Sequence, residues 1–226
     1  MDRVQETKAF VVNGAQGHSL EEREENDFYA TSPLALRCLF KFFKDKNYSL
    51  SKNCLEPACG QGHLSKLLKQ HYEKVVSTDL INRGYGVSGI DFLKSTTFTE
   101  NGITLSDGDD FDCITNPPYK HASKFVNHSL DIMQPRKICA MYLKLTFLEG
   151  IGRYNDLFKS RPPKCVLVLP SRIGCSKNAN FTNTDKYGDP IAGSAIAFAW
   201  YVWVNGEFGS TTVEWFDPSL KDKLDV

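Results

Sequence analysis

Several common signatures are missing from this chain of 226 residues. Its seven cysteines form no C-x-x-C pair, which argues against a zinc site and against a disulfide framework. No apolar run is long enough to cross a membrane, and there is no signal peptide. Cysteines in apolar, strand-like stretches behave as small hydrophobes, and four of the seven lie in such stretches: Cys54, Cys113, Cys139 and Cys165. The sequence therefore predicts a soluble, cytoplasmic protein without a metal, in a reducing compartment.

The chain also lacks net charge, since 27 Lys and Arg balance 27 Asp and Glu. The charges are nevertheless unevenly placed. Residues 117–190 hold 12 basic against 5 acidic side chains, whereas residues 1–116 hold 13 against 17 and residues 191–226 hold 2 against 5. The middle block of +7 favours an anionic partner, although charge alone also fits an ordinary solvated surface.

Apolar patterns divide the chain into a polar N-terminal arm, residues 1–27, and one α/β domain, residues 28–226. Helical and strand-like patterns alternate, which predicts βαβ units and a mainly parallel sheet. The predicted helices are Thr31–Lys46, His63–Tyr72 and Ala122–Met133; the predicted strands are Asn53–Glu56, Lys74–Thr78, Phe111–Thr115, Lys137–Leu145, Lys164–Leu169, Ser194–Val204 and Thr211–Trp215. A turn at Asn205-Gly206 between the last two strands favours an antiparallel arrangement at the end of the sheet. The polar stretch Arg172–Gly193 has the length of a functional loop.

A glycine turn, Glu56-Pro57-Ala58-Cys59-Gly60-Gln61-Gly62, follows the first predicted strand and opens a helix. It lacks both the G-x-G-x-x-G dinucleotide fingerprint and the Gly-Lys-Ser/Thr of a phosphate loop. Gly60 and Gly62 allow a tight turn and the close approach of a ligand. Because Glu56 would repel phosphate, the turn suits a cationic or amine-bearing ligand.

Two carboxylates follow at successive strand ends. Asp79 is placed to accept the hydroxyls of a ribose, and Asp91 to accept from an exocyclic amine with Phe92 packed nearby. Each acid taken singly is better explained as a strand-end or helix-capping carboxylate. Together with the glycine turn, they predict an adenosine pocket at the carboxyl edge of the sheet.

The segment Asn116-Pro117-Pro118-Tyr119 comes directly after a buried strand. Prolines fix the backbone and remove donors, which leaves the Asn116 side chain and the Pro117 carbonyl as acceptors. Two acceptors beside an aromatic ring suit a planar NH2 group, since Tyr119 can stack on the ring that carries it. A proline-rich turn without function is the alternative.

On these motifs the chain resembles the S-adenosylmethionine-dependent DNA methyltransferases that act on adenine N6, especially the small methylases encoded by bacteriophages. The resemblance covers roughly residues 28–216. It implies a Rossmann-like class I methyltransferase fold with a mixed seven-stranded sheet whose last strand is antiparallel. It also implies methylation of adenine in DNA after the target base is flipped out of the duplex.

The resemblance carries roles onto matching positions. The catalytic residues would be Asn116, Pro117, Pro118 and Tyr119. Phe28–Pro33 matches a segment that closes over the cofactor, with Ser32 where a second proline is commoner. The cofactor-binding residues would be Tyr29, Thr31, Glu56, Pro57, Ala58, Gly60, Gly62, Asp79, Leu80, Asp91, Phe92 and Asn116. Charge and position assign nucleic-acid binding to Lys120, Lys124, Phe147, Arg153, Arg172 and Lys177. Phe147 is either the wall of the base pocket opposite Tyr119 or an ordinary core residue. Residues 172–193 are the candidate recognition loop.

Other substrates stay open at this point. RNA adenine is one, because such a pocket reads only the base. Protein glutamine is another, although those enzymes carry an additional N-terminal helical domain. Cytosine C5 and N4 are disfavoured, because there is no Pro-Cys nucleophile and Asn116 stands where N4 enzymes usually have serine. A catalytically silent decoy that binds S-adenosylmethionine or nucleic acid is the remaining alternative.

Overall fold

A computed structural model describes residues 29–170, 175–177 and 196–224. The predicted arm at residues 1–27, Phe28, Arg172 and most of the predicted recognition loop lie outside the described residues.

Alternating helices and strands make up the described chain, and their order agrees with the predicted pattern. The helices are α1 (Pro33–Asp45), α2 (His63–Leu68), α3 (Ala122–Ile132) and the single turn α4 (Ile151–Arg153). The strands are β1 (Tyr29–Thr31), β2 (Asn53–Glu56), β3 (Lys74–Asp79), β4 (Val87–Ser88), β5 (Thr97–Glu100), β6 (Ile103–Ser106), β7 (Asp112–Thr115), β8 (Ile138–Lys144), β9 (Cys165–Val168), β10 (Cys175–Lys177), β11 (Phe198–Val204) and β12 (Thr212–Trp215).

One mixed sheet of eight strands has the order β12-β9-β11-β8-β7-β2-β3-β4. The predicted antiparallel strand is confirmed, since β11 runs antiparallel to both β8 and β9. The sheet has eight strands rather than seven, and β12 pairs with β9 in parallel instead of forming a hairpin with β11. The reason is that β8 and β9 already occupy both edges of β11.

The central strands bury both of their faces, as expected for a sheet covered by helices on each side. On β11 the residues alternate between two apolar clusters: Trp200 and its even-numbered neighbours pack towards α1 and α2, while Trp203 and its odd-numbered neighbours pack towards α3. The Trp200 indole N–H also donates to the Ala35 carbonyl of α1 at 2.7 Å. These contacts fix the sheet whose edge carries the candidate site.

Local signals explain two further elements. Ser32 caps α1 by accepting the Leu34 N–H at 3.2 Å, and Pro33 is the first helical residue, so the helix begins two residues after the predicted Thr31. The hairpin β5–β6 was not predicted, although its turn at Asn101-Gly102 is a recognisable signal; both residues have positive φ, at 51° and 77°.

Membrane, metal and disulfide features are absent from the described part of the chain. No described helix is both long and apolar enough to span a membrane. The described residues include no group of acids, histidines or cysteines that could hold a metal ion. The predicted hydrophobic role of Cys54, Cys113, Cys139 and Cys165 agrees with their burial as free thiols.

Candidate active site

Four parallel strands end along one edge of the sheet, and each end carries a polar residue. Glu56 ends β2, Asp79 ends β3, Asn116 follows β7 and Lys144 ends β8. The strand order reverses between β2 and β7, which pair directly. Open α/β sheets bind ligands in the crevice outside such a point. The glycine turn and Asn116 therefore stand on its two sides.

The glycine turn is tied to the end of β3. Gly60 and Gly62 have φ of 55° and 78°, so both use the left-handed conformation that glycine favours. The Cys59 N–H donates to the Thr78 carbonyl at 3.0 Å, and the Gly60 N–H donates to Asp79 Oδ2 at 2.8 Å. Two neighbouring strand ends thus form one unit. Within the same turn, Pro57 is buried and Ala58 is half-buried.

Tyr85 lies flat against Gly62, a contact that sequence reasoning missed. A Cβ built on Gly62 would lie only 2.4 Å from the Tyr85 ring. The ammonium groups of Lys66 and Lys69 each stand 5.4 Å from the centre of that ring. A hydrogen bond with Tyr85 raises the pKa of Lys69. Glycine at position 62 is therefore needed to admit Tyr85, a signal visible in sequence only as an aromatic residue between two glycines.

Asp79 has capacity left for a ligand. Oδ2 accepts the Gly60 N–H, and Oδ1 accepts the Ile81 N–H at 2.9 Å. A carboxylate offers about four lone-pair positions, so each oxygen can accept once more. Leu80, next in the chain, exposes 52% of its surface beside this carboxylate.

Glu56 lies beneath the turn rather than in it. It is 1% exposed, and its carboxyl oxygen accepts a hydrogen bond from the Ser65 hydroxyl. Burial raises the pKa of Glu56 well above its usual range, and the nearby Asp79 adds to the rise. The neutral acid is therefore favoured, whereas a nearby cation would favour the carboxylate.

Asp91 and Phe92, both predicted to bind the cofactor, also make contacts within the fold. Asp91 accepts the Leu93 N–H at 3.2 Å as a helix cap, and it pairs with Lys94 at 2.9 Å. The hydrogen bond with Lys94 lowers the pKa of Asp91. Phe92 is 2% exposed and packs on Phe125 at 4.9 Å between ring centres, so its side chain belongs to the core rather than to a ligand surface.

The segment Asn116–Tyr119 connects the end of β7 to a 3-10 turn. Asn116 is half-buried and its side-chain oxygen is inaccessible to solvent. Pro117 is buried, whereas Pro118 is exposed. Tyr119 is half-buried, with its ring centre 5.8 Å from that of Phe198.

An open pocket lies beside Tyr119, with about 320 Å³ of empty space that includes adjoining solvent. Its lining consists of Tyr119, Ala122, Leu143, Lys144, Thr146, Phe147 and Arg153. Tyr119 and Phe147 therefore border one space, even though Phe147 is only 7% exposed. Lys144, whose ammonium stands 5.0 Å from the centre of the Tyr119 ring, was missed from sequence. Its place at the end of β8 was the available signal.

Arg153 holds the loop that carries this pocket wall. Its Nε donates to the Phe147 carbonyl at 2.9 Å and its Nη2 to the Thr146 carbonyl at 3.1 Å. Nη2 also donates to the Glu149 carbonyl. The guanidinium, which was predicted to contact nucleic acid, is thus engaged by the protein's own backbone.

The remaining predicted residues are spread around the edge. Lys120 and Lys124 are exposed on the turn and helix that follow Tyr119. Thr31 is buried, and its hydroxyl has no hydrogen-bond partner among the described residues. The backbone of Tyr29 pairs with that of Lys177, so the predicted closing segment is paired with a strand that lies inside the predicted recognition loop.

No model of a protein family matches this chain, and no curated protein sequence matches it. Solved structures do match. One is the methyltransferase subunit of the type I restriction-modification system of Streptococcus thermophilus, with a TM-score of 0.55 and 13% identity, covering 81% of this chain and 46% of that one. This chain thus spans less than half of that subunit.

Two further solved structures match this chain at similarly low sequence identity. A Lactococcus lactis protein provisionally assigned as a hemolysin has a TM-score of 0.52 and 13% identity, covering 84% of this chain and 95% of that one. A Listeria monocytogenes protein provisionally assigned as a class I S-adenosylmethionine-dependent methyltransferase has a TM-score of 0.50 and 10% identity, covering 85% and 69%. At these identities the likeness establishes the architecture alone. The chain has the Rossmann-like fold of the class I methyltransferases.

Proposed function

We propose that this protein transfers a methyl group from S-adenosylmethionine to the exocyclic N6 amine of adenine in DNA. The observation that supports this best is the position of Asn116–Tyr119. The segment leaves β7 at the reversal of strand order, next to the glycine turn of β2, and its Tyr119 lines a pocket that Phe147 also lines.

The residues at the carboxyl edge fit the proposed cofactor. Asp79 can accept two ribose hydroxyls beyond its backbone bonds, and Leu80 offers an exposed apolar face for an adenine ring. The buried Thr31 hydroxyl, without a partner among the described residues, suits the cofactor carboxylate. Glu56 supplies a negative charge where the ligand is cationic. When bound, S-adenosylmethionine supplies an electrophilic methyl group on a positively charged sulfur.

The target side follows from the acceptors on Asn116 and Pro117. An adenine amine is a poor nucleophile, because its lone pair is delocalised into the ring. Hydrogen bonds from its two protons to the Asn116 side-chain oxygen and the Pro117 carbonyl would concentrate the lone pair on nitrogen. Because that oxygen is buried in the structure, the contact would require the Asn116 side chain to rotate towards the target. Tyr119 and Phe147 would hold the base between them, which supplies orientation rather than a covalent intermediate.

DNA is the partner that the charges favour. The block of +7 at residues 117–190 begins at the proposed catalytic segment. Exposed Lys120 and Lys124, together with Arg172 and Lys177, would contact phosphates. The similar S. thermophilus structure is named as a restriction-modification subunit, which is in keeping with DNA. A base within a duplex is unreachable, so the adenine must be flipped out.

The test is transfer of a radiolabelled methyl group from S-adenosylmethionine to purified substrates. We expect incorporation into duplex DNA at N6-methyladenine, identified by nucleoside digestion. Asn116→Ala should abolish transfer and leave cofactor affinity nearly unchanged, because its acceptor acts on the target. Tyr119→Phe should retain activity because the ring remains, whereas Tyr119→Ala should lose it.

Parallel reactions distinguish the alternatives. Adenine-free duplexes, RNA and glutamine-containing proteins serve as competing substrates. Label in RNA or in protein alone would replace the DNA assignment, and cofactor binding without any transfer would favour a silent decoy. An active Asn116→Ala variant would contradict the catalytic role of that residue.

A further inference from the structure

An exposed apolar ridge adjoins the proposed target pocket. Within seven residues, Leu148 exposes 46% of its surface, Ile151 82% and Tyr154 57%. Single exposed apolar residues are ordinary on protein surfaces, but three so close together on one short segment are not. The proposed function assigns the pocket beside them but gives the ridge no role.

The backbone that carries this ridge of Leu148, Ile151 and Tyr154 is held by hydrogen bonds. Arg153 joins the carbonyls of Thr146, Phe147 and Glu149, and its guanidinium lies 5.3 Å from the centre of the Phe147 ring. The Tyr154 N–H closes the turn on the Gly150 carbonyl at 3.0 Å. Ile151, at the start of this turn, is thus held outward by a backbone that needs little further ordering on binding.

The same residues connect the ridge to the pocket. Thr146, Phe147 and Arg153 line the pocket, and Leu148 and Ile151 lie between them in the chain. A duplex whose adenine enters the pocket would therefore lie close to the segment that carries Ile151. Flipping leaves a gap in the base stack, and an apolar side chain of this kind can enter between base steps.

We propose that Ile151, flanked by Leu148 and Tyr154, inserts into the duplex and fills the gap left by the flipped adenine. This inference rests on the proposed function. Duplex DNA is the chosen occupant because the ridge shares its segment with three pocket-lining residues and lies within the basic block of residues 117–190. Ile151 is the tip because it is the most exposed of the three.

The experiment compares Ile151→Ala with the parent on two duplexes. In one duplex the target adenine is paired with thymine, and in the other it stands opposite an abasic site, where flipping breaks no base pair. On the paired duplex we expect kcat/KM to fall about tenfold or more, since the variant no longer compensates the lost stacking. On the abasic duplex the loss should be largely rescued. Ile151→Leu should behave as the parent on both.

Val213→Ala is the matched control, because Val213 is also β-branched and 47% exposed but lies on β12, separated from β8 by β9 and β11. It should match the parent on both duplexes. Thermal unfolding of both alanine variants should be unchanged, since neither site is buried.

Each result has a separate meaning. If the parent methylates no nucleic acid, the proposed function fails, and the wedge fails with it. If the parent methylates DNA and Ile151→Ala is equally active on the paired duplex, only the wedge is overturned. An equal loss on both duplexes also overturns it, as does a change in self-association without a change in methylation.

Discussion

Glu56 and Asp79 end neighbouring strands, yet their carboxyl groups differ in burial and in hydrogen bonding. Asp79 accepts two backbone N–H groups and still faces the crevice, whereas Glu56 is enclosed and hydrogen-bonds with Ser65. A solvated carboxylate can bind hydroxyls directly. An enclosed acid acts instead through its charge, which depends on whether a cation is nearby.

This difference makes a prediction for Glu56. Burial raises the pKa of Glu56, whereas a cationic ligand favours the carboxylate, so binding should lower this pKa and release a proton at any pH where the free protein still holds one. Cofactor affinity should therefore rise with pH until the pH exceeds the pKa of the free protein. Calorimetry in buffers of different ionisation enthalpy would detect the released proton. Glu56→Gln should abolish the release while keeping an acceptor for Ser65; release that persists in this variant would refute the assignment.

At the scale of elements, the loop from Leu145 to Tyr154 determines how the pocket is built. Sequence reasoning assigned Arg153 to a phosphate, whereas the structure shows it bound to three carbonyls of its own loop. The two roles require different chemistry. A phosphate contact needs a positive charge, but the loop needs a planar fork of donors, which only arginine provides.

Arg153→Lys separates these roles, because it keeps the charge and removes the fork. We expect a loosened pocket wall and a methylation rate lowered about ten- to hundredfold, with an unchanged salt dependence of DNA binding. Lys120→Arg, the matched control, should be tolerated. Removing charge at Lys120 or Lys124 should instead flatten the salt slope by about 0.9 per lost contact. Normal activity in Arg153→Lys would show that charge alone matters there.

At the scale of the whole molecule, the carboxyl edge of the sheet and the opposite edge differ in what their polar residues do. The carboxyl edge carries the candidate site, while a buried carboxylate joins elements at the opposite edge. Asp112, at the start of β7, accepts the Ser51 and Ile138 N–H groups at 2.8 Å each and the Tyr72 hydroxyl at 2.9 Å. Burial raises the pKa of Asp112 from 3.8 to about 6.

A raised pKa in an acid means that the folded state binds the proton more tightly than the unfolded state. The stabilisation that the folded state gains by binding this proton on Asp112 is complete below about pH 4 and is lost as the pH rises through 6. Because the Tyr72 hydroxyl favours the carboxylate, Tyr72→Phe should raise the pKa of Asp112 further. Its deficit in unfolding free energy should therefore grow between pH 5 and pH 8, towards about 1.5–3 kcal/mol.

Denaturant unfolding over this pH range measures the deficit. Tyr48→Phe is the control, since the Tyr48 ring packs on Phe43 in the cluster that also contains Tyr72. Its deficit should not change with pH. A Tyr72→Phe deficit that is equally flat would mean that Asp112 does not titrate in this range.

Local sequence patterns determined most of the architecture. Alternating apolar residues, the Ser32-Pro33 helix start and the position of Gly60 and Gly62 after a strand are short-range features, and backbone sterics turn them into elements wherever they occur. Parallel strands bring their carboxyl ends together, so the order of Glu56, Asp79 and Asn116 along the chain already placed them at one edge.

Only the tertiary structure decided which neighbours these residues have. Tyr85 lies on Gly62, Arg153 is bound by its own loop, Phe92 is in the core and β12 pairs with β9. Such contacts join residues through packing and hydrogen-bond geometry that no local pattern encodes. Sequence therefore determined the fold class and the sheet edge that carries the candidate site. Long-range packing decided which of its side chains remain available to a ligand, because a donor or an apolar face that already contacts the protein cannot also contact a ligand.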